Sequence, residues 1–301
     1  MLLIFSAKGE FKILYLKSFV FPDGDTEAGV ISGVLTKWHN TVYPFKVASG
    51  RLLNKLAFSP ITIFYGSNGC GKTTLLNIMA EKLGVERGAL YNKSSFFNQY
   101  LELCSYSLKC EELPKSSRII TSDDVFDFML KERMLNNGID DRREELIKEY
   151  LEYKAKDKGQ FRYREAEDFN EFSKIIEVRN KTLSMYVKTN IGLNIREKSN
   201  GENAIRFFME RITEEGLFFL DEPENSLAPE RQLELAQFLE EAVRFYRCQI
   251  VMATHSPFLA AMKDAVVYDL DSRPAQIRNW YDLQGIKLYL KFFEENRRYF
   301  E

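Results

Sequence analysis

Residues 66–73 read Gly66-Ser67-Asn68-Gly69-Cys70-Gly71-Lys72-Thr73, and they lie between an apolar run at 58–65 (FSPITIFY) and an amphipathic one at 73–83 (TTLLNIMAEKL). The octet meets G-x-x-x-x-G-K-[ST] at every fixed position. A chain that carries this pattern has to place a strand, a tight turn and a helix in succession. Glycine lets backbone N–H groups turn inward around phosphate oxygens, at conformations that a side chain obstructs. The N-terminus of the following helix adds its positive dipole end. Leu75, Leu76, Met79 and Leu83 share one helical face, and Gly84 stands where that helix should stop. The expectation is a phosphate cradle in which Lys72 reaches the β- and γ-phosphates and the Thr73 hydroxyl holds Mg²⁺. Thr74 adds a further phosphate contact. The bare pattern arises by chance in a chain of this length on the order of once in a hundred, and the flanking strand and helix lower that rate. Cys70 fills a free position of the loop, where a tolerated small residue outweighs a redox switch as the reading.

A second apolar run, 216–220 (GLFFL), ends in Asp221, Glu222 and Pro223. Parallel sheets place ligand sites at the carboxyl ends of buried strands. Asp221 is therefore expected to hold Mg²⁺, mostly through water, and Glu222 to polarise an attacking water as general base. Alone, D-E-P after a core strand is as readily a surface turn. Behind a phosphate loop the carboxylate reading prevails.

Strand texture recurs at 11–21, 248–253 and 265–270, and an amphipathic helix at 229–246 starts on Pro229 with Leu235, Leu239, Val243 and Tyr246 as its buried stripe. Strands alternating with helices predict an α/β fold with a mixed or parallel sheet. From about 123 to 190 the chain turns strongly charged. Its apolar residues there recur at three and four: Leu146, Tyr150 and Tyr153, then Phe169, Phe172 and Ile176. This spacing predicts two or three amphipathic helices with a break near Gly159 and Gln160. A pair of roughly 20-residue helices would span about 30 Å, a compact helical insertion and not a coiled-coil arm. The last segment, 284–301, carries Ile286, Leu288, Leu290, Phe292 and Phe293 and reads as a helix packed on the body. The expected organisation is a β-rich lobe with the phosphate loop at 1–110, a helical insertion at 111–195, a second lobe at 196–283 and a C-terminal helix at 284–301.

The 301 residues carry a net charge of −2, so no global basic field points to nucleic acid, although a local basic groove is left open. The four cysteines show neither paired C-x-x-C spacing nor zinc-ligand spacing with His39 or His255. No apolar run is long enough for a membrane span, and the N-terminus lacks the features of a secretory signal. Cytoplasmic localisation is the expectation.

With both motifs in place, the chain resembles the ATP-binding-cassette (ABC) ATPases. Ser199-Asn200-Gly201-Glu202 is similar to the family's signature motif, which implies that Ser199 and Gly201 clamp the γ-phosphate of nucleotide bound by the opposite subunit. Glu224-Asn225-Ser226-Leu227 resembles the D-loop along the dimer seam. Thr254-His255-Ser256 resembles the switch that senses γ-phosphate through its histidine. The order of these motifs along 60–260 is the family's own. D-E-P-E-N-S-L-A-P, a helix and then A-T-H-S-P-F-L are closest to the soluble, non-transporter branch of SMC, RecF, Rad50 and OLD-like proteins and stand-alone bacterial ATPases. Several of these act in DNA maintenance or anti-phage defence.

The chain departs from that branch in three ways. Its insertion is short for an SMC- or Rad50-type arm, no Toprim-like acidic cluster follows His255, and the Q-loop has no clear match. Gln99 is one candidate for it; Ser122 or Asp123, after the strand-like 119–121, is the better placed. Trp38, Tyr43 and Arg51 are candidates to meet the adenine.

The resemblance implies an ATPase with ATP and Mg²⁺ as its ligands, working as a head-to-tail homodimer. Each composite site would join Lys72, Thr73, Asp221, Glu222 and His255 of one subunit to Ser199 and Gly201 of the other, and hydrolysis would gate a partner effector such as a nuclease or toxin. An ATP-latched binding module with negligible turnover uses the same residues. A transporter ATPase subunit fits less well, because the signature departs from L-S-G-G-Q. A small-molecule kinase has no need of T-H-S after D-E-P.

Overall fold

Strands apolar along their whole length belong where both faces of a sheet are covered. Every residue of Ile61–Tyr65, Gly216–Asp221 and Cys248–Thr254 is indeed buried. The computed structural model describes residues 4–5, 11–33, 41–155, 173–174, 176–178, 180–190 and 200–300. In chain order its strands are β1 (Ile4–Phe5), β2 (Phe11–Lys12), β3 (Leu16–Val20), β4 (Lys55–Ala57), β5 (Ile61–Tyr65), β6 (Glu86–Arg87), β7 (Ser105–Leu108), β8 (Arg118–Thr121), β9 (Gly216–Asp221), β10 (Cys248–Thr254), β11 (Val266–Asp269) and β12 (Gln276–Arg278). The helices are α1 (Gly24–Gly33), α2 (Lys72–Leu83), α3 (Phe97–Leu103), α4 (Ser122–Ala155), α5 (Leu183–Asn190), α6 (Asn200–Arg211), α7 (Pro229–Phe245), α8 (Pro257–Ala260) and α9 (Gln284–Glu295).

Seven strands form one sheet in the order β12-β11-β5-β10-β9-β8-β6, parallel throughout except for β12, which runs antiparallel to β11. A smaller antiparallel sheet has the order β4-β3-β7. The class is the expected α/β fold with a mainly parallel sheet. Register decides where its chemistry sits: Asp221 pairs with both Thr121 and Ala253, and Tyr65 with both Thr254 and Asp269. The chain therefore leaves β8, β9, β10, β5 and β11 along one edge. The loops that carry residues 66–73, 221–222 and 255 all start there.

The chain forms two compact units, one of Met1–Phe126 with Asn200–Glu301 and the other of Asp127–Ser199. In the second, Leu146, Tyr150, Val178 and Tyr186 make a small core, with Tyr153 packed against it. In the first, Gln249 of β10 ties the two sheets together. Its Oε1 accepts from the amides of Tyr15 and Leu16, both at 2.8 Å, and its Nε2 donates to the carbonyls of Leu16 (3.0 Å) and Ser59 (3.2 Å). A fully buried side-chain amide with all of these bonds made is satisfied, and it is costly to remove.

Several elements differ from the sequence reading, each for a local reason. Residues 11–21 are two strands and not one, because the chain turns at Tyr15 and Leu16 to meet Gln249. The strand expected over 58–65 starts only at Ile61, after Pro60, which has no N–H to pair. Helix α4 is 34 residues long, roughly 50 Å at ~1.5 Å per residue, where a helix of about 20 was expected. Ile176 is exposed, and Phe169, Phe172, Gly159 and Gln160 lie outside the described residues. Leu235, Leu239 and Val243 are buried as predicted, whereas Tyr246 caps α7 and is exposed. The C-terminal segment is α-helical to Glu295, followed by a 3-10 turn at Arg297–Tyr299, and of the five apolar residues named Ile286 alone is buried; Leu288 is 68% exposed and Phe292 57%. Its apolar face is therefore not packed on the body, in contrast to the expectation. Among the described residues no helix is long and apolar enough to cross a membrane.

Candidate functional site

Buried strand β5 delivers the chain at Gly66 into a turn that no side chain could follow. A Cβ on Gly66 would lie 2.8 Å from Cys70 Sγ, and one on Gly71, at φ +102°, would lie 2.6 Å from Val47 Cγ1. Gly71 caps α2, which then runs to Gly84, whose amide bonds the carbonyls of Ala80 and Glu81. Cys70 is buried beneath the loop, and burial pushes its thiol up from the ordinary range. It packs there as a small apolar group, without thiolate character.

Lys72 is only 4% exposed. Its Nζ donates to the carbonyls of Gly66 (3.0 Å) and Ser67 (3.3 Å) and lies 2.7 Å from His255 Nε2. The same ring nitrogen lies 3.2 Å from Glu222 Oε1. A nitrogen facing an ammonium and a carboxylate at once can accept from the first or donate to the second, but not both. Glu222 itself sits at φ 47°, a left-handed conformation uncommon for a side chain of its size and a form of strain that gathers at functional positions. Asn225 Nδ2 donates to its other oxygen at 3.1 Å.

On the far side of the loop, Thr73 Oγ1 donates to Asp221 Oδ1 at 3.0 Å. Tyr43 donates to Thr74 Oγ1 at 3.3 Å. Two cavities flank this pair. The first, about 700 Å³, is walled by the loop, Tyr43, Lys46, Arg51, Glu222 and Arg273. The second, about 790 Å³, is lined by Thr73, Thr74, Ser122, Asp123 and Asp221 among others.

The register of the sheet thus brings Gly66–Thr74, Asp221, Glu222 and His255 together. Ser122 and Asp123 stand beside them, whereas Gln99 is exposed on α3 and lines neither cavity. Tyr43 and Arg51 reach the first cavity; Trp38 lies outside the described residues, as does Ser199. Gly201 is at the start of α6, where a Cβ would meet Arg231 Cγ at 3.4 Å, and it too lines neither cavity.

Three contributors were missed. Asp271, on the loop after β11, accepts the Ser67 amide at 2.8 Å and the Ser67 hydroxyl at 2.6 Å, and so braces the phosphate loop from behind. Arg273, two residues on, walls the first cavity. The signal for both was present, since 265–270 is a predicted strand that runs into acid and arginine much as 216–220 runs into Asp221. Glu27, 1% exposed, accepts from the Lys46 amide (2.7 Å) and the Ser49 hydroxyl (2.6 Å) and holds the segment that forms the cavity wall. Nothing in the local sequence marks it.

Among the described residues no cluster of three or more His, Cys, Asp or Glu could hold a metal by itself. A hydroxyl and one carboxylate, Thr73 and Asp221, fit Mg²⁺, which keeps much of its water and takes the remaining ligands from phosphate. Burial raises the Asp221 carboxyl to about 6, against the pull of its bond from Thr73. Below that pH the acid is protonated and a poor cation ligand. Mg²⁺-dependent nucleotide affinity is therefore expected to fall about tenfold between pH 7 and pH 5. Titrations with and without EDTA check this, since the metal-independent part of the affinity should not follow the same curve.

A glycine turn after a buried strand, a buried lysine beside it and an acid–histidine pair near it define a P-loop nucleotide-binding fold. A family model described as "ABC transporter" matches residues 55–225, more than half of the 301, and the chain belongs to this ABC ATPase family, a fold that supports ATP binding and hydrolysis. A second model, described as "AAA domain, putative AbiEii toxin, Type IV TA system", matches residues 190–261. No curated protein gives a significant sequence match. Similar solved structures include an ABC transporter in an inward-facing conformation, at 15% identity over 89% of this chain and 85% of that one, with a TM-score of 0.39. Another is the Smc head domain of Pyrococcus furiosus with an extended coiled coil, bound to the C-terminal domain of ScpA, at 12% identity over 81% and 95%, TM-score 0.37. The family assignment rests on the first sequence model.

Proposed function

We propose that this protein hydrolyses Mg-ATP as a head-to-tail homodimer, and that opening and closing of the dimer gates a partner effector, a nuclease or toxin, in the bacterial cytoplasm. The observation that carries the reading is two side-chain groups on the one phosphate loop: Asp221 to Thr73 at 3.0 Å, and Lys72 to His255 at 2.7 Å with His255 to Glu222 at 3.2 Å. Lys72 neutralises the β- and γ-phosphates, while the loop amides hold their oxygens. Thr73 and Asp221 hold Mg²⁺, which withdraws charge from those oxygens when bound. Glu222 Oε1 orients the attacking water and takes up its proton, and His255 holds both Glu222 and the γ-phosphate in place.

Dimerisation is supported by Gly201. It lines neither of the two cavities beside the phosphate loop, which supports a signature-loop contact to γ-phosphate made by a second copy. Similarity of residues 190–261 to a toxin-system model supports defence over DNA repair as the setting. Phosphate release by the wild type against Glu222→Gln tests the reading. Equal, near-zero rates would favour an ATP-operated latch without turnover.

Arg273 contributes affinity and no chemistry on this reading, because it lines the cavity, is exposed and makes no bond to Glu222 or His255. Arg273→Ala is expected to raise the Kd for Mg-ATP up to about fivefold with kcat unchanged, the size of one exposed charge contact. An unchanged Kd would remove Arg273 from the site.

A further inference from the structure

Glu224 lies past the acids already described and contacts none of the residues expected to touch nucleotide by their side chains. It is nonetheless among the few buried carboxylates of the first unit, 9% exposed. Its Oε1 accepts the backbone amide of His255 at 2.6 Å and that of Ser256 at 3.2 Å. Two amides on one oxygen, at the residue that carries the imidazole and at the next, fix the direction in which the chain leaves β10. Charge-assisted bonds of this kind are the stronger class, and burial strengthens them further. Burial pushes the Glu224 carboxyl up, and the His255 amide is the largest influence drawing it back down.

A second tie runs in parallel. Gln232 of α7 donates to the Leu227 carbonyl at 2.8 Å and accepts from the Ser256 hydroxyl at 2.7 Å. Ser256 Oγ in turn accepts from the amides of Phe258 (3.1 Å) and Leu259 (3.2 Å), which starts α8. Both ends of the segment 224–227 are therefore tied to the chain at His255 and Ser256, by Glu224 at one end and through Gln232 at the other.

We infer that Glu224 is a positioning residue that makes the 224–227 loop and the His255 loop a single mechanical unit, so that displacement of the first carries the imidazole with it. The inference rests on the proposed ATPase reading for its kinetic consequence, while its structural consequence stands without it. The imidazole meets Lys72 at 2.7 Å and Glu222 at 3.2 Å, so there is little slack for it to move and keep both contacts. An ångström of misplacement in such an arrangement costs up to about a hundredfold in rate.

The test uses the full chain with Glu224→Ala, Glu224→Gln and Gln232→Ala. Glutamine keeps a carbonyl oxygen where the carboxylate accepts, and alanine does not. Amide hydrogen exchange in a peptide covering residues 253–258 is expected to quicken about tenfold or more in Glu224→Ala and to return close to wild type in Glu224→Gln, with the 72–83 helix unchanged in both. In steady state, Glu224→Ala should lower kcat about tenfold with KM within about twofold, again restored by glutamine. Gln232→Ala, which leaves Glu224 in place, should show the same pattern in weaker form and serves where the alanine variant at 224 does not fold. Wild-type exchange at 253–258 together with wild-type kcat in Glu224→Ala would overturn the inference. A wild-type protein with no turnover would instead sink the ATPase reading, leaving the exchange result to decide this one.

Discussion

Lys72→Ala is expected to lose Mg-ATP binding by about 30-fold to more than a thousandfold, and with it all measurable turnover. The size follows from where the ammonium sits. Lys72 is almost wholly buried in the turn, its Nζ held by the Gly66 and Ser67 carbonyls and directed at the cavity that Glu222 also walls. A triphosphate entering that cavity meets this charge with water largely excluded, where truncating one partner of a charge pair costs about 2–5 kcal/mol. The fold should tolerate the change, because Lys72 lines the cavity and water can take the place of its ammonium there. The melting temperature, followed by circular dichroism, is therefore the control. Calorimetric titration with Mg-ATP is the measurement, and affinity within twofold of wild type would refute the phosphate-cradle role of 66–73.

The second large effect is on chemistry alone. Glu222→Gln is expected to lower kcat by about 10²–10⁴ while Mg-ATP still binds, because an amide keeps the shape of the carboxylate but cannot take a proton from water. Glu222 is suited to this role by its constraints. Its backbone is held at φ 47°, its amide bonds the Ala253 carbonyl at 2.9 Å, and Asn225 and His255 flank its carboxylate. A side chain fixed on three sides presents its remaining lone pairs in one direction. With hydrolysis blocked and binding kept, the variant should also accumulate as an ATP-dependent dimer in size-exclusion chromatography with light scattering. A variant that turns over at the wild-type rate would transfer the base to another residue. Wild type and variant that are both inert, yet dimerise with ATP, would identify the latch.

How far the site could be read beforehand depended on whether its residues announce themselves over short stretches. The turn at 66–73, the acids at 221–222 and the histidine at 255 each follow an apolar run, so a strand end and a reactive group appear within a few letters of each other. Asp271 follows the same rule after 265–270, but its partner is the amide of Ser67, some two hundred residues earlier. Glu27 obeys no such rule, and Glu224, just past the strand end at Asp221, shows its place but not its partner. Both are carboxylates that accept backbone N–H groups, and a backbone donor leaves no trace in residue type. The C-terminal helix departs from its sequence pattern for a related reason. Its apolar spacing predicts a face that needs cover, but spacing carries no information about what provides it, and five of its aromatic and aliphatic side chains stand exposed.

What the amino-acid order settled by itself was local: where the chain turns, which strands are apolar on both faces, where helices start and stop, and which reactive groups stand at strand ends. Those follow from dihedral freedom and side-chain period, which act over a few residues. Tertiary structure decided adjacency. The strand order β11-β5-β10-β9-β8 and its register set Lys72 against His255, His255 against Glu222, and Thr73 against Asp221, although 148 and 183 residues separate the outermost pairs. Hydrogen bonding between parallel strands fixes that alignment, because a slip of one residue would turn each buried side chain to the opposite face.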